Sequence, residues 1–460
     1  MSSAYLVLQG RSMQQDQVLK EVFGYDAFRT GQADAVSALV SGQDVLCILP
    51  TGGGKSLCYQ VPAIVRHGQG LGATLVISPL IALMDDQVHQ LRAKGVAAAA
   101  LHSHQDADEQ RDILARLRRG ELSLLYASPE RALSSGFRRQ LASSKICALA
   151  IDEAHCISQW GHDFRPEYNQ LAALRIFLDI PLIALTATAT PRIEKEILAK
   201  LALRDPLIVR SSFVRPNLAF ALHAMSSDQR RMRKACEILE TRGLRGRTNQ
   251  GRAIIYCATR KKVEQVAKAL RALNYAVGYY HAGRTELARK RAQISFERAR
   301  TRVLVATNAF GMGIDSPDIR LVLHYQCPGS VEAYYQEAGR AGRDGMPSAC
   351  VLFHGKGDLM LQRRMLTGSS AAKGADSLLR IYPFFQRNSK TSSLLRSLKC
   401  TTLLAKPRSL KHCAAAGQRT SNATSCLNSK SMENSNSTKS AVLLPVSKLC
   451  LKMVVLCVKE

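Results

Sequence analysis

A glycine-rich loop, two adjacent acids and two spaced arginines are the residues of this chain whose types could do phosphoryl chemistry. The loop is Pro50-Thr51-Gly52-Gly53-Gly54-Lys55-Ser56, placed after an apolar run and before a helix-like segment. Glycines there let backbone N–H groups turn onto phosphate oxygens. Lys55 would reach the terminal phosphates, and the Ser56 hydroxyl would ligate Mg²⁺. The general phosphate-loop pattern carries a glycine where Leu49 stands, so a plain glycine-rich turn stays open on the loop alone. The acids are Asp152 and Glu153, again after an apolar run. Asp152 is placed to hold Mg²⁺ through water and Glu153 to polarise an attacking water. Two acids can equally open a helix, whose N-terminus favours negative charge. The arginines, Arg340 and Arg343, stand three residues apart and so share one face of a helix or turn. Such a pair can offset charge on a transferring phosphoryl group; a solvated basic face is the alternative.

Positioning these groups requires two domains. Asp44–Leu49, Ala73–Ser78, Leu122–Tyr126, Leu149–Ile151 and Leu182–Leu185 read as buried strands, with helical spacing over Asp86–Lys94 and Asp108–Arg118. A second set follows Pro216: strands at Ala253–Tyr256, Ala276–Tyr279, Arg302–Val305, Leu321–Leu323 and Ala349–Phe353, with helices over Lys262–Leu273 and Glu286–Arg298. Buried strands alternating with helices give an α/β, doubly wound parallel sheet in each half. Arg210–Asn217 is the expected hinge, and the repetition points to kinship between the halves. We expect a lead over 1–22, a nucleotide-binding domain over 23–210, a second domain over 211–367 and a basic tail over 368–460. Nucleotide would lie in the interdomain cleft, where the arginines of the second domain meet the loop of the first.

The ordered set of motifs resembles the superfamily-two helicases, and within them the RecQ family of DNA helicases. Phe23-Gly24-Tyr25-Asp26-Ala27-Phe28-Arg29-Thr30-Gly31-Gln32 is similar to that family's adenine-recognition segment. The resemblance implies that Tyr25 stacks on the base, Gln32 reads its edge and Arg29 supports the nucleotide. Segments Ser78–Gln87 and Ala127–Arg131 resemble its strand-contacting motifs, and Thr186 to Thr190 resembles the motif linking hydrolysis to unwinding, with Thr186 and Thr188 in coupling roles. Thr307 to Asp315 resembles a motif touching both DNA and nucleotide, which assigns Gly313 and Asp315 to the nucleotide. Ser158 to Tyr168 resembles the family's aromatic-rich loop. Trp160, the only tryptophan, and Phe164 offer stacking faces for unpaired bases, His162 and Arg165 flank them, and the loop adjoins Glu153. Of the two arginines, Arg343 is favoured as the finger. The resemblance implies two tandem RecA-like domains. It further implies an ATP- and Mg²⁺-dependent DNA helicase moving 3′-to-5′ on single-stranded DNA and unwinding duplex DNA in repair and recombination. An RNA helicase, or a remnant that binds DNA with little unwinding, are the competing readings.

Charge agrees with a polyanionic partner. Over 460 residues, 64 Lys and Arg against 36 Asp and Glu give +28, while 46% apolar and 22% charged residues are ordinary for a globular chain. Residues 368–460 carry 15 basic residues and only Asp376, Glu433 and Glu460 as acids, leaving +16 on residues 1–367. That segment is serine-rich without clean periodicity and reads as weakly folded. We expect the chain to leave the family's reading frame soon after Arg380. Cys400, Cys413, Cys426 and Cys450 are spaced too widely for a compact zinc site, so no zinc is expected. Thirteen scattered cysteines fit a reducing compartment. The apolar stretch 441–458, broken by Pro445, Lys448 and Lys452, does not read as a membrane span. The expected location is cytoplasmic and nucleoid-associated, or nuclear in a eukaryote. A single-strand-binding protein is compatible as a further partner.

Overall fold

Two parallel sheets, one in each half of the chain, carry the loops named above. This computed structural model describes residues 13–158, 164–212, 214–245, 251–311 and 316–367. The basic tail from residue 368, with its cysteines and the stretch 441–458, lies outside them.

The first sheet holds β1 (Val45–Ile48), β2 (Ala73–Ile77), β3 (Ala98–Leu101), β4 (Leu124–Ala127), β5 (Ile146–Ile151), β6 (Leu182–Thr186) and β7 (Leu207–Arg210). Their order is β3-β4-β2-β5-β6-β1-β7, every pair parallel. Side chains alternate across the sheet. Val45 and Cys47 of β1 join one buried cluster, and Leu46 and Ile48 join the other. Helices cover both faces, which is why these strands are continuous apolar runs. Among them are α1 (Gln32–Val40), α2 (Leu57–Gly68), α3 (Ile81–Ala93) and α4 (Ala107–Arg118). Buried Asp44 fixes the start of β1. Its carboxylate accepts from the Leu182 and Arg204 backbone N–H groups at 2.8 Å each and from the Arg175 guanidinium at 3.1 Å.

The second sheet holds β8 (Leu218–Ala224), β9 (Arg252–Tyr256), β10 (Val277–Tyr280), β11 (Val303–Ala306), β12 (Ile319–His324) and β13 (Ser348–His354), ordered β10-β11-β9-β12-β13-β8 and wholly parallel. Its helices include α5 (Arg260–Ala272), α6 (Glu286–Glu297) and α7 (Val331–Ala338). Three strands went unread in the sequence. The β3 strand is nearly all alanine, which favours helix when isolated. The short β7 and the half-buried β8 lack an uninterrupted buried run.

The two domains share one frame. From β2 to β4 and from β9 to β11, each element has a counterpart at a constant offset of 179 residues (252 less 73), without insertion. Side-chain roles repeat as well. Arg92 and Arg271 each donate from Nε to the strand carbonyl six residues on, at Ala98 and Val277. His102 pairs with Asp85 at 2.9 Å, and His281 with Glu264 at 3.1 Å. Gly95 and Asn274 both turn the chain with positive φ before the edge strand.

Candidate active site

The loop after β1 and the start of α2 form the floor of the site. Gly52 and Gly54 have φ of +78° and +75°, and a Cβ on Gly54 would come within 2.4 Å of the Gln32 amide nitrogen. Only glycine admits both demands at that position. The Gly53 N–H closes a turn onto the Pro50 carbonyl at 2.9 Å. Ser56 caps α2 without a side-chain capping bond, and the buried Thr51 Oγ1 has no hydrogen-bond partner among the described residues.

Gln32, 1% exposed, has a structural task beyond the one implied by resemblance. Its amide donates to the Gly53 and Gly54 carbonyls at 3.0 Å each and accepts from the Arg29 N–H at 2.8 Å. Arg29 in turn donates to the Gly52 carbonyl at 2.7 Å. The adenine-segment residues therefore clamp the loop itself, and Tyr25 stands half exposed on the same cleft.

Opposite the loop, β5 delivers Asp152 and Glu153. The Asp152 N–H donates to the Ile77 carbonyl at 2.9 Å, and its carboxylate accepts from the Glu153 N–H at 2.9 Å. Burial pushes the Asp152 carboxyl up to about 7, Glu153 adds to the rise, and Lys55 opposes it. Glu153 takes a left-handed backbone (φ +49°), a conformation that a non-glycine residue keeps only when its surroundings impose it. Its carboxylate meets the His155 Nδ1 at 3.2 Å. The same imidazole nitrogen lies 3.2 Å from the Thr186 hydroxyl, which donates to the Thr188 carbonyl at 2.9 Å. A buried chain of contacts thus runs from the acid to the loop after β6, reaching Thr186 and Thr188. His155 carries the link, although the sequence reading gave it no role; its place two residues after Glu153 was the available signal.

The second domain closes the cleft. Arg343 packs on the phosphate loop, its Cγ 3.5 Å from where a Gly52 Cβ would stand. Arg340 is 5% exposed and donates to the Gly311 carbonyl, its guanidinium filling the space a Cβ there would need. Gly339 allows the approach, because a Cβ there would come 3.1 Å from the Thr51 Cβ. Arg215, in the segment between the sheets, braces this turn by donating to the Gly339 carbonyl at 2.8 Å and to the Gly342 carbonyl. Burial lowers its pKa. Nothing in its local sequence marks it, since both partners lie more than a hundred residues away. The open cleft has a volume of about 370 Å³, in the size range of small-ligand sites.

The aromatic-rich segment is described in part. Arg165 returns to the acid box through its N–H to the Cys156 carbonyl at 2.9 Å, and the Tyr168 hydroxyl donates to the Asp152 carbonyl at 3.0 Å. Phe164 is half-buried beside it. Trp160, His162, Gly313 and Asp315 lie outside the described residues. The site fits phosphates and a divalent cation: a Thr51 hydroxyl without a partner among the described residues, the Ser56 hydroxyl, Lys55 and a carboxyl raised by burial and by a second carboxylate all face one cleft.

Two family profiles match the two domains: DEAD/DEAH box helicase over residues 29–197 and helicase conserved C-terminal domain over 230–345. The chain is 45% identical over 350 residues to the ATP-dependent DNA helicase RecQ of Haemophilus influenzae, covering 76% of this chain and 54% of that protein. It is 43% identical over 355 residues to the RecQ of Bacillus subtilis, covering 76% and 58%. The chain belongs to the RecQ helicase family. This RecQ-family chain is also 44% identical over 349 residues to the ATP-dependent helicase wrn-1 of Caenorhabditis elegans, covering 74% and 32%. It spans about half the length of the curated bacterial relatives it matches. Solved structures share the fold. The DUF1998 helicase MrfA bound to DNA and AMPPNP superposes with a TM-score of 0.64 at 18% identity, covering 78% of this chain and 53% of that one. The helicase Lhr of Mycobacterium smegmatis bound to ssDNA and AMP-PNP gives 0.60 at 21%, covering 80% and 50%.

Proposed function

We propose that this chain is an ATP-dependent DNA helicase that moves 3′-to-5′ along single-stranded DNA and separates duplex DNA in repair and recombination. The observation that carries the reading is the convergence of Lys55, Asp152, Glu153 and Arg343, from two domains, on one cleft. The polarity and the biological setting are supported by the family alone.

Lys55 and the loop N–H groups bind the terminal phosphates, while Arg343 offsets charge on the transferring phosphoryl group. Ser56 and Asp152 would hold Mg²⁺, which supplies positive charge to the same phosphate oxygens. Glu153 takes the proton of the attacking water. The products are ADP and phosphate. His155 reports the state of Glu153 to Thr186 and Thr188, and the arginine turn held by Arg215 makes domain closure sensitive to the cleft contents. Backbone contacts to DNA give affinity that is independent of sequence and falls with salt.

The test is strand displacement from duplexes carrying either a 3′ or a 5′ single-stranded tail, with ATP and Mg²⁺. Displacement from the 3′-tailed duplex alone is expected. Displacement from the 5′-tailed duplex alone, or ATP turnover stimulated by RNA and not by DNA, would overturn the reading.

A further inference from the structure

The repeat that relates the domains isolates one place where they diverge. Between α5, β10 and α6, on the outer edge of the second sheet, lies a pocket of about 340 Å³ remote from the cleft. Its lining includes Gly278, Ala292 and Thr301. At the same positions the first domain has Ala99, Ile113 and Leu122, all buried in its core. Two of these positions thus carry large apolar side chains in the first domain, Ile113 and Leu122, and the smaller Ala292 and Thr301 in the second, while Thr301 and Leu304 pack against Gly278.

The charge diverges at the same place. Residues 81–123 contain six Lys and Arg against seven Asp and Glu, a net of −1. Their counterparts 260–302 contain twelve against three, a net of +9, more than half of the +16 on residues 1–367. Because the backbone is shared, the fold does not demand this charge. At the mouth of the pocket, Arg284 lies 4.0 Å from the Tyr279 ring centre and Arg271 lies 5.1 Å from it. Each donates one N–H to an outer carbonyl of β10, at Tyr279 and Val277, which fixes the side chain and leaves further donors. Arg291 completes the mouth, where the first domain has Asp112. None of the three forms an ion pair among the described residues.

We propose that this pocket is a second nucleic-acid site, which takes one unpaired nucleotide of a DNA strand. The base enters the space beside Ala292 and stacks against the arginine planes. The flanking phosphates lie on Arg284 and Arg291. The same two helices carry further basic residues, Lys268, Arg289 and Lys290. A polyanion suits this charge density better than a compact anion. The site stands outside the ATP cleft, so it does not depend on ATP turnover.

The experiment is photo-crosslinking of the full chain to an oligo-dT strand carrying 4-thiothymine, with crosslinked peptides located by mass spectrometry. The strand is expected to crosslink within residues 271–302. Ala292→Ile, which restores the first domain's residue, should reduce that yield about tenfold while crosslinks elsewhere persist. Arg291→Asp changes an exposed side chain and should give a similar loss should the filled variant unfold in thermal melts. Absence of crosslinks in this segment would overturn the proposal. So would yields unchanged in both variants, or equal displacement of the strand by poly-glutamate at matched charge.

Discussion

Lys55, Asp152, Glu153 and Arg343 stand out in the sequence by type and spacing, and the fold brings all four to one cleft. Their supports were not readable. Gln32 reaches the loop carbonyls over more than twenty residues and His155 reaches Thr186 over thirty-one, so only the fold reveals them. Each support gives a prediction. Gln32→Ala removes two donors from the phosphate loop and should weaken nucleotide binding about tenfold, measured with a fluorescent ATP analogue. His155→Ala interrupts the buried chain from the acid to Thr188. The ratio of DNA-stimulated to unstimulated ATP hydrolysis should fall several-fold. An unchanged ratio would remove His155 from the coupling path.

At the scale of elements, the site sits at the carboxyl ends of the parallel strands, where open α/β sheets bind ligands. The strands were legible where apolar runs were long, and illegible where alanine or partial exposure hid them, as in β3 and β8. The loop geometry depends on Gly54, whose positive φ and contact with Gln32 leave no room for a side chain. Gly54→Ala should therefore lose nucleotide binding while the melting temperature shifts little, a pair of readings taken on one sample. Asp44 works at the opposite end of β1. Removing its carboxylate strands a buried Arg175 and two backbone donors. Asp44→Ala should cost about 3–5 kcal/mol, seen as earlier unfolding in denaturant. An unchanged midpoint would show that β1 is anchored elsewhere.

At the scale of the whole molecule, the kinship of the halves was visible as alternation, but the common frame was not. Its 179-residue offset is carried by hydrogen bonds and turn conformations more than by residue identity. The same comparison sharpens the meaning of the net charge, since one of two equivalent segments holds +9 and the other −1. The two domains matter together because neither holds a complete site: the loop and acids belong to the first and Arg343 to the second. Arg343→Ala should leave nucleotide bound and reduce turnover by about 10³-fold or more, as loss of an arginine finger does. The most direct test of the account is ATP hydrolysis with Mg²⁺, with and without single-stranded DNA, in the native chain and in Lys55→Ala, with DNA affinity measured alongside. Turnover should rise with DNA in the native chain and be lost in the variant, which still binds DNA. Turnover indifferent to DNA, or retained in Lys55→Ala, would contradict it.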